Sequence, residues 1–266
     1  MLKFPNAKIN LGLNITAKRA DGYHDIESCF YPIPLKDALE IIPSKNLSFK
    51  TTGLAIPGSS HDNLILKAYE LMKLDYALPP LEIILYKNIP MGAGMGGGSA
   101  DGAFMLTLLD EYFGLNIPVK KLEAYALKLG SDCPFFIENQ AKLVSGRGEI
   151  FESTGLDLSG YHLALIFPDI HIGTAEAYGE VKPQHPKTSI KEVIEKYPIE
   201  DWKNRLKNDF EEGIFLKYPK LRELKENLYR AGAVYASMTG SGSTIFGLFD
   251  AYYDKTSIKA DLILEI

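Results

Sequence analysis

Alternating apolar and polar residues run through the first ninety positions and predict mostly β-strands there. One helix is expected to interrupt these strands, because Asp62 and Asn63 can cap a segment whose residues recur at helical spacing from Leu64 to Leu71. The strands are expected where Gly, Pro, Asn and Asp turn residues bound the alternating runs, at Ala7–Ile15, Asp25–Pro32, Ala38–Ile42 and Leu81–Tyr86.

Helical periodicity replaces this alternation from Ser99 onward. Apolar residues lie along one helical face as far as Gly114, and a second helix is expected from Val119 to Leu129, ending at Gly130. The remaining predicted elements are a turn or hairpin at 144–149, a loop with a short helix at 183–198, strands at His162–Phe167, Val234–Met238 and Thr244–Phe249, and helices at Trp202–Gly213 and Pro219–Ala231.

The order of these elements favours an α+β fold, because strands and helices mix without regular β-α-β alternation. The chain has 266 residues, enough for two domains of about 100–150 residues each. The pattern changes near residue 150, which predicts one domain over 1–150 and a second over 151–266.

Composition and charge narrow the class of partner. With 46% hydrophobic and 24% charged residues, the chain has the profile of a globular protein and not of a disordered or fibrous one. The formal net charge is −5, and no Lys/Arg-rich run is present. Nucleic-acid binding through phosphate contacts is therefore not expected, and on charge alone polyanions are poor candidate ligands.

Cysteine usage and the N-terminus indicate a reduced, cytoplasmic setting. Cys29 and Cys133 cannot form a disulfide framework, and no spacing typical of a zinc site is present. Polar residues interrupt the N-terminal segment where a signal peptide needs an apolar run, and no apolar run approaches the roughly 20 residues of a membrane span. We therefore expect a cytoplasmic protein without a membrane partner, acting as a monomer or homodimer.

The densest chemical signal is a glycine-rich segment directly before the helix that starts at Ser99. Six of the eleven residues from 92 to 102 are Gly. Such permissive backbone costs conformational entropy and is expected where a ligand approaches the main chain closely. Free N–H groups and the dipole at a helix N-terminus bind phosphate, and Ser99 can cap the helix or donate to a phosphate oxygen. A flexible surface turn is the weaker alternative.

Two well-known phosphate loops fit this segment poorly. A P-loop of the Walker A type needs a Lys after its glycines, and none follows. Gly92, Gly94 and Gly97 match G-x-G-x-x-G formally, but five residues, Lys87–Met91, separate the preceding strand from the glycines. A dinucleotide-binding oxidoreductase therefore stays a distant alternative.

Other candidate residues are ambiguous when taken singly. Residues 238–244, rich in Gly, Ser and Thr, are expected to form a hairpin turn, to face a second anion, or to support the first loop. Asp132 follows a helix and precedes Pro134, which favours an N-cap over a catalytic carboxylate. Lys8 on an alternating strand, and Tyr23 and His24 in a turn, are compatible with ordinary surface positions. The five His residues form no metal-ligand pair, and no hydrolase elbow is present.

Taken together, these segments resemble the GHMP kinase superfamily. That superfamily combines an N-terminal Lys-containing strand, a central glycine-rich ATP loop and a C-terminal Gly-Ser-Gly loop, and residues 90–100 and 239–243 match the last two closely. Residues 5–11, 21–24, 130–136 and 174–178 resemble the branch that phosphorylates 4-diphosphocytidyl-2-C-methyl-D-erythritol in non-mevalonate isoprenoid biosynthesis. The resemblance runs from residue 5 to residue 248 in the family's order.

The resemblance implies a ribosomal-protein-S5-like N-terminal domain that binds ATP and a ferredoxin-like C-terminal domain that completes the substrate cleft. It implies Asp132 as general base and Lys8 as its cationic partner in transfer of the ATP γ-phosphate to the 2-hydroxyl of a substrate that carries cytidine diphosphate. The implied nucleotide-binding residues are Asn63, Lys87, Pro90, Gly92, Gly94, Gly96, Gly97, Gly98, Ser99 and Ala100. The implied substrate-binding residues are Asn10, Tyr23, His24, Thr174, Tyr178, Gly240 and Ser241, with Tyr23 and Tyr178 bracketing the cytosine and His24 hydrogen-bonding its edge.

The sequence departs from the family's pattern near the phosphates. It has Ser99-Ala100-Asp101 where Ser-Ser-Asn is frequent, so a carboxylate replaces an amide. The Mg²⁺ ligands stay unassigned, and the ATP phosphates are expected to supply most of the coordination. A GHMP-type kinase for another small alcohol, or a non-catalytic nucleotide or metabolite sensor on the same fold, remain the alternatives.

Overall fold

The computed structural model describes residues 1–59, 62–251 and 258–266. The strands of these segments are β1 (Leu2–Lys3), β2 (Asn6–Lys18), β3 (His24–Lys36), β4 (Ala38–Pro43), β5 (Ser48–Gly53), β6 (Leu81–Lys87), β7 (Lys142–Ser145), β8 (Ile150–Ser153), β9 (His162–Ile166), β10 (Tyr235–Met238), β11 (Ile245–Phe249) and β12 (Leu262–Glu265). The helices are α1 (Leu64–Lys73), α2 (Gly97–Phe113), α3 (Val119–Leu129), α4 (Phe135–Glu138), α5 (Thr174–Gly179), α6 (Ile190–Lys196), α7 (Phe210–Lys217) and α8 (Pro219–Arg230), with a 3₁₀ helix at Ile199–Asn204.

Long-range contacts group the chain into two compact units, each assembled from separated segments. The first comprises Met1–Lys8, Leu35–Met91 and Gly96–Gln140, and the second comprises Ile9–Pro34, Gly92–Met95 and Ala141–Ile266. Strands and helices mix in both units, as the α+β prediction required. None of the helices in the described segments combines the length and the apolar character that a bilayer span requires.

The first unit is a four-stranded sheet packed with helices. Its strand order is β1-β4-β6-β5, with β4 antiparallel and β5 parallel to β6. Successive side chains of a strand point to opposite faces, and along β6 the buried positions are Leu81, Ile83, Leu85 and Lys87. The lysine thus continues the buried face of the strand, where only paired charges are tolerated.

Helix α2 packs closely against α1 in this unit. A Cβ on Gly102 would lie 2.9 Å from Leu64 Cβ, so the glycine permits the approach of the two helices. The helix begins at Gly97, two residues before the predicted start, and ends at Gly114 in the left-handed conformation.

The second unit contains two four-stranded sheets, ordered β2-β3-β7-β8 and β10-β11-β9-β12. Strands β7 and β8 form an antiparallel pair, which confirms the hairpin predicted at 144–149. Strands β10 and β11 form a second antiparallel hairpin, against which α8 packs. Strand β11 is entirely buried, so the 239–244 connection is held on a rigid base.

The single helix predicted over Trp202–Gly213 is wrong. The chain instead forms the 3₁₀ helix Ile199–Asn204 and then α7 from Phe210. Between them, Leu13 N donates to Lys207 O and Asp209 N donates to Leu13 O, both at 2.8 Å. Because these backbone groups pair with a strand, they are not available for helical hydrogen bonds.

Candidate active site

The glycine-rich segment delivers the N-terminus of α2 with free backbone donors. Gly92, Gly94 and Gly96 have φ of 67°, 77° and 69°, values that favour glycine. The helix has no side-chain cap at its N-cap residue Gly96, and the first intrahelical bond runs from Ala100 N to Gly96 O at 2.8 Å. The N–H groups of residues 97–99 precede that bond and have no intrahelical acceptor. They are the donors that a phosphate can use, whereas the Ala100 amide is already engaged.

Ser99 does not cap α2. It occupies the third position of the helix and lies beside the Cys133 thiol, whose pKa burial raises to about 12. The thiol is therefore not a thiolate nucleophile near neutral pH.

A lysine–carboxylate pair lies next to this helix end, within the first unit. Lys8 is 3% exposed, and its Nζ is 3.6 Å from Asp132 Oδ2. Burial lowers the pKa of Lys8, and the charge of Asp132 opposes that effect. A Cβ on Gly96 would lie 3.3 Å from Lys8 Cε and 3.1 Å from Phe136 Cζ. The first turn of α2 therefore packs directly on the Lys8 side chain.

Asp132 is not a helix cap, so the capping interpretation is wrong. Helix α4 has Pro134 as its N-cap residue and no side-chain cap hydrogen bond. The Asp132 side chain is 33% exposed and faces Lys8 from the turn between α3 and α4. A carboxylate that is partly exposed and held near an ammonium group is suited to accept a proton from a ligand.

A second charged cluster is fully buried beneath the start of α2. Lys87 Nζ lies 2.5 Å from Asp37 Oδ2 and 2.7 Å from Asp101 Oδ2, and all three side chains are at most 5% exposed. The Lys87 ammonium group thus has two protein partners, and its contact with a nucleotide stays a prediction. Its near neighbours include Gly97, where an added Cβ would lie 3.2 Å from Nζ.

A cavity of about 390 Å³ opens beside this cluster in the first unit. Asn63 and Gly98, two residues predicted to bind the nucleotide, both line it. Asn63 also caps α1, accepting a hydrogen bond from Ile65 N at 2.9 Å. The other lining residues are mostly apolar or small and are Phe49, Thr51, Ile56, Pro57, Gly58, Ser59, Asp62, Leu64, Met91 and Asp101.

In the second unit, the 239–244 hairpin loop packs on the first half of the glycine-rich segment. A Cβ on Gly94 would lie 2.1 Å from Thr239 O, and one on Gly240 would lie 2.8 Å from Gly94 O. Thr239 Oγ1 is 3.1 Å from Gly94 O. The loop is therefore both a hairpin turn and a support for the first loop; whether it also faces an anion stays a prediction.

Asn10 anchors that hairpin loop. Its Oδ1 accepts a hydrogen bond from Gly240 N at 2.9 Å and lies 3.1 Å from Thr239 Oγ1, while its Nδ2 donates to Ser28 Oγ at 3.0 Å. Asn10 is 1% exposed, so most of its hydrogen-bonding capacity serves the loop. Its contact with substrate stays a prediction.

Aromatic side chains form a separate cluster in the second unit. The His24 and Tyr178 rings stack with centroids 4.7 Å apart and an interplanar angle of 20°, and Phe210 meets Tyr178 edge-on. Tyr23 is 59% exposed, and the Arg147 guanidinium lies 5.0 Å from the centre of its ring. The described arrangement therefore pairs Tyr178 with His24, whereas the sequence prediction has Tyr178 bracket a base together with Tyr23.

Comparison with known proteins connects these features to one family. Residues 63–140 match the GHMP kinases N terminal domain, and residues 192–265 match the GHMP kinases C terminal domain. These two matches cover more than half of the chain. The chain belongs to the GHMP kinase family.

Relatives that match nearly the whole chain of this GHMP kinase share one enzyme name. It is 52% identical to a 4-diphosphocytidyl-2-C-methyl-D-erythritol kinase of Bacteroides fragilis over 94% of this chain and 92% of that one. It is 49% identical to the enzyme of the same name from Parabacteroides distasonis over 99% and 98%. A crystal structure of 4-(cytidine 5'-diphospho)-2C-methyl-D-erythritol kinase superposes with a TM-score of 0.80 at 30% identity, covering 93% of this chain and 90% of that one. The protein is a phosphotransferase with an alcohol acceptor, and its predicted fold class is confirmed.

Sequence reasoning missed several residues of this GHMP kinase's candidate site. Arg147 lies over Tyr23, Asn208 Nδ2 donates to Met238 O and Gly240 O at 2.7 and 2.8 Å, and His171 would lie 3.2 Å from a Cβ on Gly92. None of these residues belongs to a motif quoted for the family resemblance. Of the three, only Arg147 lies in a segment with a sequence signal, the turn or hairpin predicted at 144–149.

The remaining predicted residues lie near these features without a decisive contact. Thr174 is exposed at the first position of α5, Ser241 is half-buried in the hairpin loop, and Pro90 is half-buried before the glycines. In the described part of the chain, no three His, Cys, Asp or Glu side chains converge to form a metal site.

Proposed function

We propose that this chain transfers the γ-phosphate of ATP to the 2-hydroxyl of 4-diphosphocytidyl-2-C-methyl-D-erythritol, with Asp132 as general base and Lys8 as its cationic partner. The observation that carries the proposal is the Lys8–Asp132 pair, 3.6 Å apart, packed against the first turn of α2. The identity of the acceptor substrate is inferred from the names of the full-length relatives.

Phosphoryl transfer to this acceptor needs the groups that the pair provides. A tertiary alcohol is a poor acid, so a carboxylate must orient the hydroxyl and take its proton as the bond to phosphorus forms. Asp132 is exposed enough to meet a ligand. The ammonium group of Lys8 holds that carboxylate and offsets negative charge that develops on the transferred phosphoryl group.

In this proposal, ATP binds to the first unit. Its phosphates receive hydrogen bonds from the N–H groups of residues 97–99, where the helix dipole also favours negative charge. Its base occupies the cavity of about 390 Å³, whose apolar lining of Phe49, Ile56, Pro57, Leu64 and Met91 suits a purine ring. Because backbone amides carry no formal charge, a net charge of −5 does not oppose this binding.

The cytidine end of the acceptor is proposed to bind at the aromatic cluster of the second unit. Tyr178 supplies a stacking face, and His24 supplies a hydrogen bond to the edge of the base, which selects cytosine because stacking alone accepts any base. Burial lowers the pKa of His24, as does the charge of Lys18, so its imidazole is neutral at pH 7 and can donate and accept. Arg147, beside Tyr23, is placed to attract the diphosphate.

Mg²⁺ is proposed to enter with ATP, coordinated chiefly by phosphate oxygens and water. It supplies charge neutralisation of the phosphates, and the described residues contain no acidic cluster that would bind it independently. We further propose a cytoplasmic enzyme, consistent with the free thiols of Cys29 and Cys133, and a division of labour in which residues 1–150 bind ATP and 151–266 complete the substrate cleft.

The deciding experiment is ADP release measured with four acceptors at equal concentration. We expect turnover with 4-diphosphocytidyl-2-C-methyl-D-erythritol at a kcat/KM at least about 100-fold above that for mevalonate, homoserine or galactose, because only the first acceptor carries a cytidine for the aromatic cluster. Preferential turnover of another alcohol would reassign the substrate. ATP binding without ADP release in the presence of any of the four acceptors would favour a sensor.

Substitution of Tyr178 by Leu tests the acceptor site. Loss of one stacking face is worth about 1–3 kcal/mol, so Tyr178→Leu should raise the KM for the cytidine substrate about 5- to 150-fold and leave the KM for ATP within twofold. Steady-state kinetics with each substrate varied in turn measure both values. Tyr86→Leu, an exposed ring on β6, is the matched control and should change neither value; an equal rise in both KM values for Tyr178→Leu would contradict the assignment.

A further inference from the structure

The buried cluster beneath the start of α2 contains more acidic than basic groups. Asp37 and Asp101 share one cation, Lys87, at 2.5 and 2.7 Å. With both carboxyls ionised, the cluster would hold one uncompensated negative charge among side chains that are at most 5% exposed. A buried unpaired charge is strongly unfavourable, and the usual resolution is that one group becomes neutral.

The hydrogen bonds identify which carboxyl is neutral. Asp37 Oδ1 accepts hydrogen bonds from the N–H groups of Asn88 and Ile89 at 2.6 and 2.8 Å, and its Oδ2 accepts one from Lys87. Asp101 Oδ2 accepts one from Lys87, and Asp101 Oδ1 has no hydrogen-bond partner among the described residues. The carboxylate form is stabilised by donors, so Asp37 carries the charge and Asp101 the proton.

The pKa of Asp101 agrees with this geometry. Burial raises it to about 8; the charge of Asp37 also raises it, and Lys87 opposes both. With Asp101 neutral, the charges of Asp37 and Lys87 cancel.

The position of Asp101 connects its protonation to the nucleotide. It lies in the second turn of α2, two residues after the last of the free N–H donors, and it lines the cavity together with Gly98 and Asn63. An ionised carboxylate here would offset the partial positive charge at the start of the helix and would repel phosphate. A neutral carboxyl instead offers an O–H donor at Oδ1, the oxygen that lacks a partner in the described structure.

We propose that Asp101 is a nucleotide-positioning residue that acts as a neutral acid, donating a hydrogen bond from Oδ1 to an oxygen of the nucleotide in this cavity. This inference rests on the proposed binding of ATP to the first unit. It assigns a role to the Asp that replaces the frequent Asn, because a neutral carboxyl and an amide are both uncharged groups of one shape that can donate a hydrogen bond.

The charged groups around Asp101 set the direction of the pH dependence. Lys87 faces it from β6 and Asp37 from the turn between β3 and β4, while Asp62 lines the same cavity. One pH unit above its pKa, only about one tenth of a carboxyl is protonated. ATP affinity should therefore fall roughly tenfold between pH 7 and pH 9.

The test is the dissociation constant of ATP, measured by calorimetry in Mg²⁺ buffer without acceptor at pH 7, 8 and 9. The wild type should weaken roughly tenfold over this range, whereas Asp101→Asn should bind as the wild type does at pH 7 and stay within twofold at pH 9. Asp101→Ala, which removes the donor, should weaken binding about tenfold at pH 7 and should not respond further to pH. The Asn variant shares Lys8, Asp132 and the ionisation of ATP itself, so these cancel in the comparison.

Each other outcome overturns the inference. A wild-type dissociation constant that is unchanged to pH 9, an equal pH response in Asp101→Asn, or a loss of more than tenfold in Asp101→Asn at pH 7 would each show that the neutral acid does not hold the nucleotide. Should Asp101→Ala fail to fold, the wild type and Asp101→Asn still decide. Failure of the wild type to bind ATP at pH 7 would contradict the proposed function instead.

Discussion

Substitution of Asp132 by Asn should lower kcat about 10²- to 10⁴-fold, the range that a positioned general base supplies. The amide keeps the shape of the side chain but cannot accept the proton of a tertiary alcohol. Because the proposed ATP donors are the amides at the start of α2 and not Asp132, the dissociation constant of ATP should stay within about threefold. Single-turnover kinetics and calorimetry measure the two quantities separately.

Two companion variants define what the Asp132→Asn result means. Asp201→Asn changes an exposed carboxyl in the 3₁₀ helix and should leave kcat unchanged. Lys8→Ala removes the cation 3.6 Å from Asp132 and should lower kcat more than it weakens ATP binding. A kcat for Asp132→Asn within threefold of wild type would remove Asp132 from the role of base.

The segments that carry strong local signals were predicted from the sequence. Five glycines before Ser99 predicted a helix start in this segment, and α2 begins two residues earlier than predicted. Phosphate binding at this helix end stays a prediction. The prediction started the helix too late because Gly97 and Gly98 have low helix propensity. Gly97 is nevertheless helical and packs closely on Ile89, whose side chain would lie 2.8 Å from an added Cβ.

Contacts between distant segments were beyond local patterns. The preference of Asp132 for a capping role follows from its neighbours in sequence, whereas its pairing with Lys8 joins positions 124 residues apart. The helix predicted over Trp202–Gly213 is interrupted around Asn208 because the backbone of Lys207 and Asp209 pairs with Leu13. Such tertiary pairing overrides helix propensity and leaves no trace in the local sequence.

The buried charge cluster lies between these cases. Alternation along β6 indicates that Lys87 follows three buried positions, so its burial, and the need for a partner, could be inferred from the strand alone. Which carboxylates provide that partner depends on how α2 and the turn before β4 pack onto the sheet. The chemistry of Asp101 therefore becomes visible only in the folded chain.

Substitution of Gly94 by Ala should disrupt the packing of the glycine-rich segment on the 239–244 loop and cost at least about 2 kcal/mol of folding free energy. The left-handed backbone at φ of 77° already costs about 1–2 kcal/mol with a side chain present. The new Cβ would also lie 2.1 Å from Thr239 O, a backbone atom that Asn10 and Asn208 hold in place through its neighbours. Urea unfolding with a two-state or three-state fit, together with kcat, measures the loss.

The matched control for Gly94→Ala is Gly155→Ala. Gly155 is not in the left-handed region, and a Cβ there would meet nothing within 4 Å. The free energy of unfolding of Gly155→Ala should therefore differ from that of the wild type by no more than about 0.5 kcal/mol. Because Gly94 and the hairpin loop touch through main-chain atoms, enlarging Gly94 must move one loop away from the other, and activity should fall with stability. Wild-type stability in Gly94→Ala would mean that the two loops separate readily in solution, and the 239–244 loop would then not be a support for the glycine-rich segment.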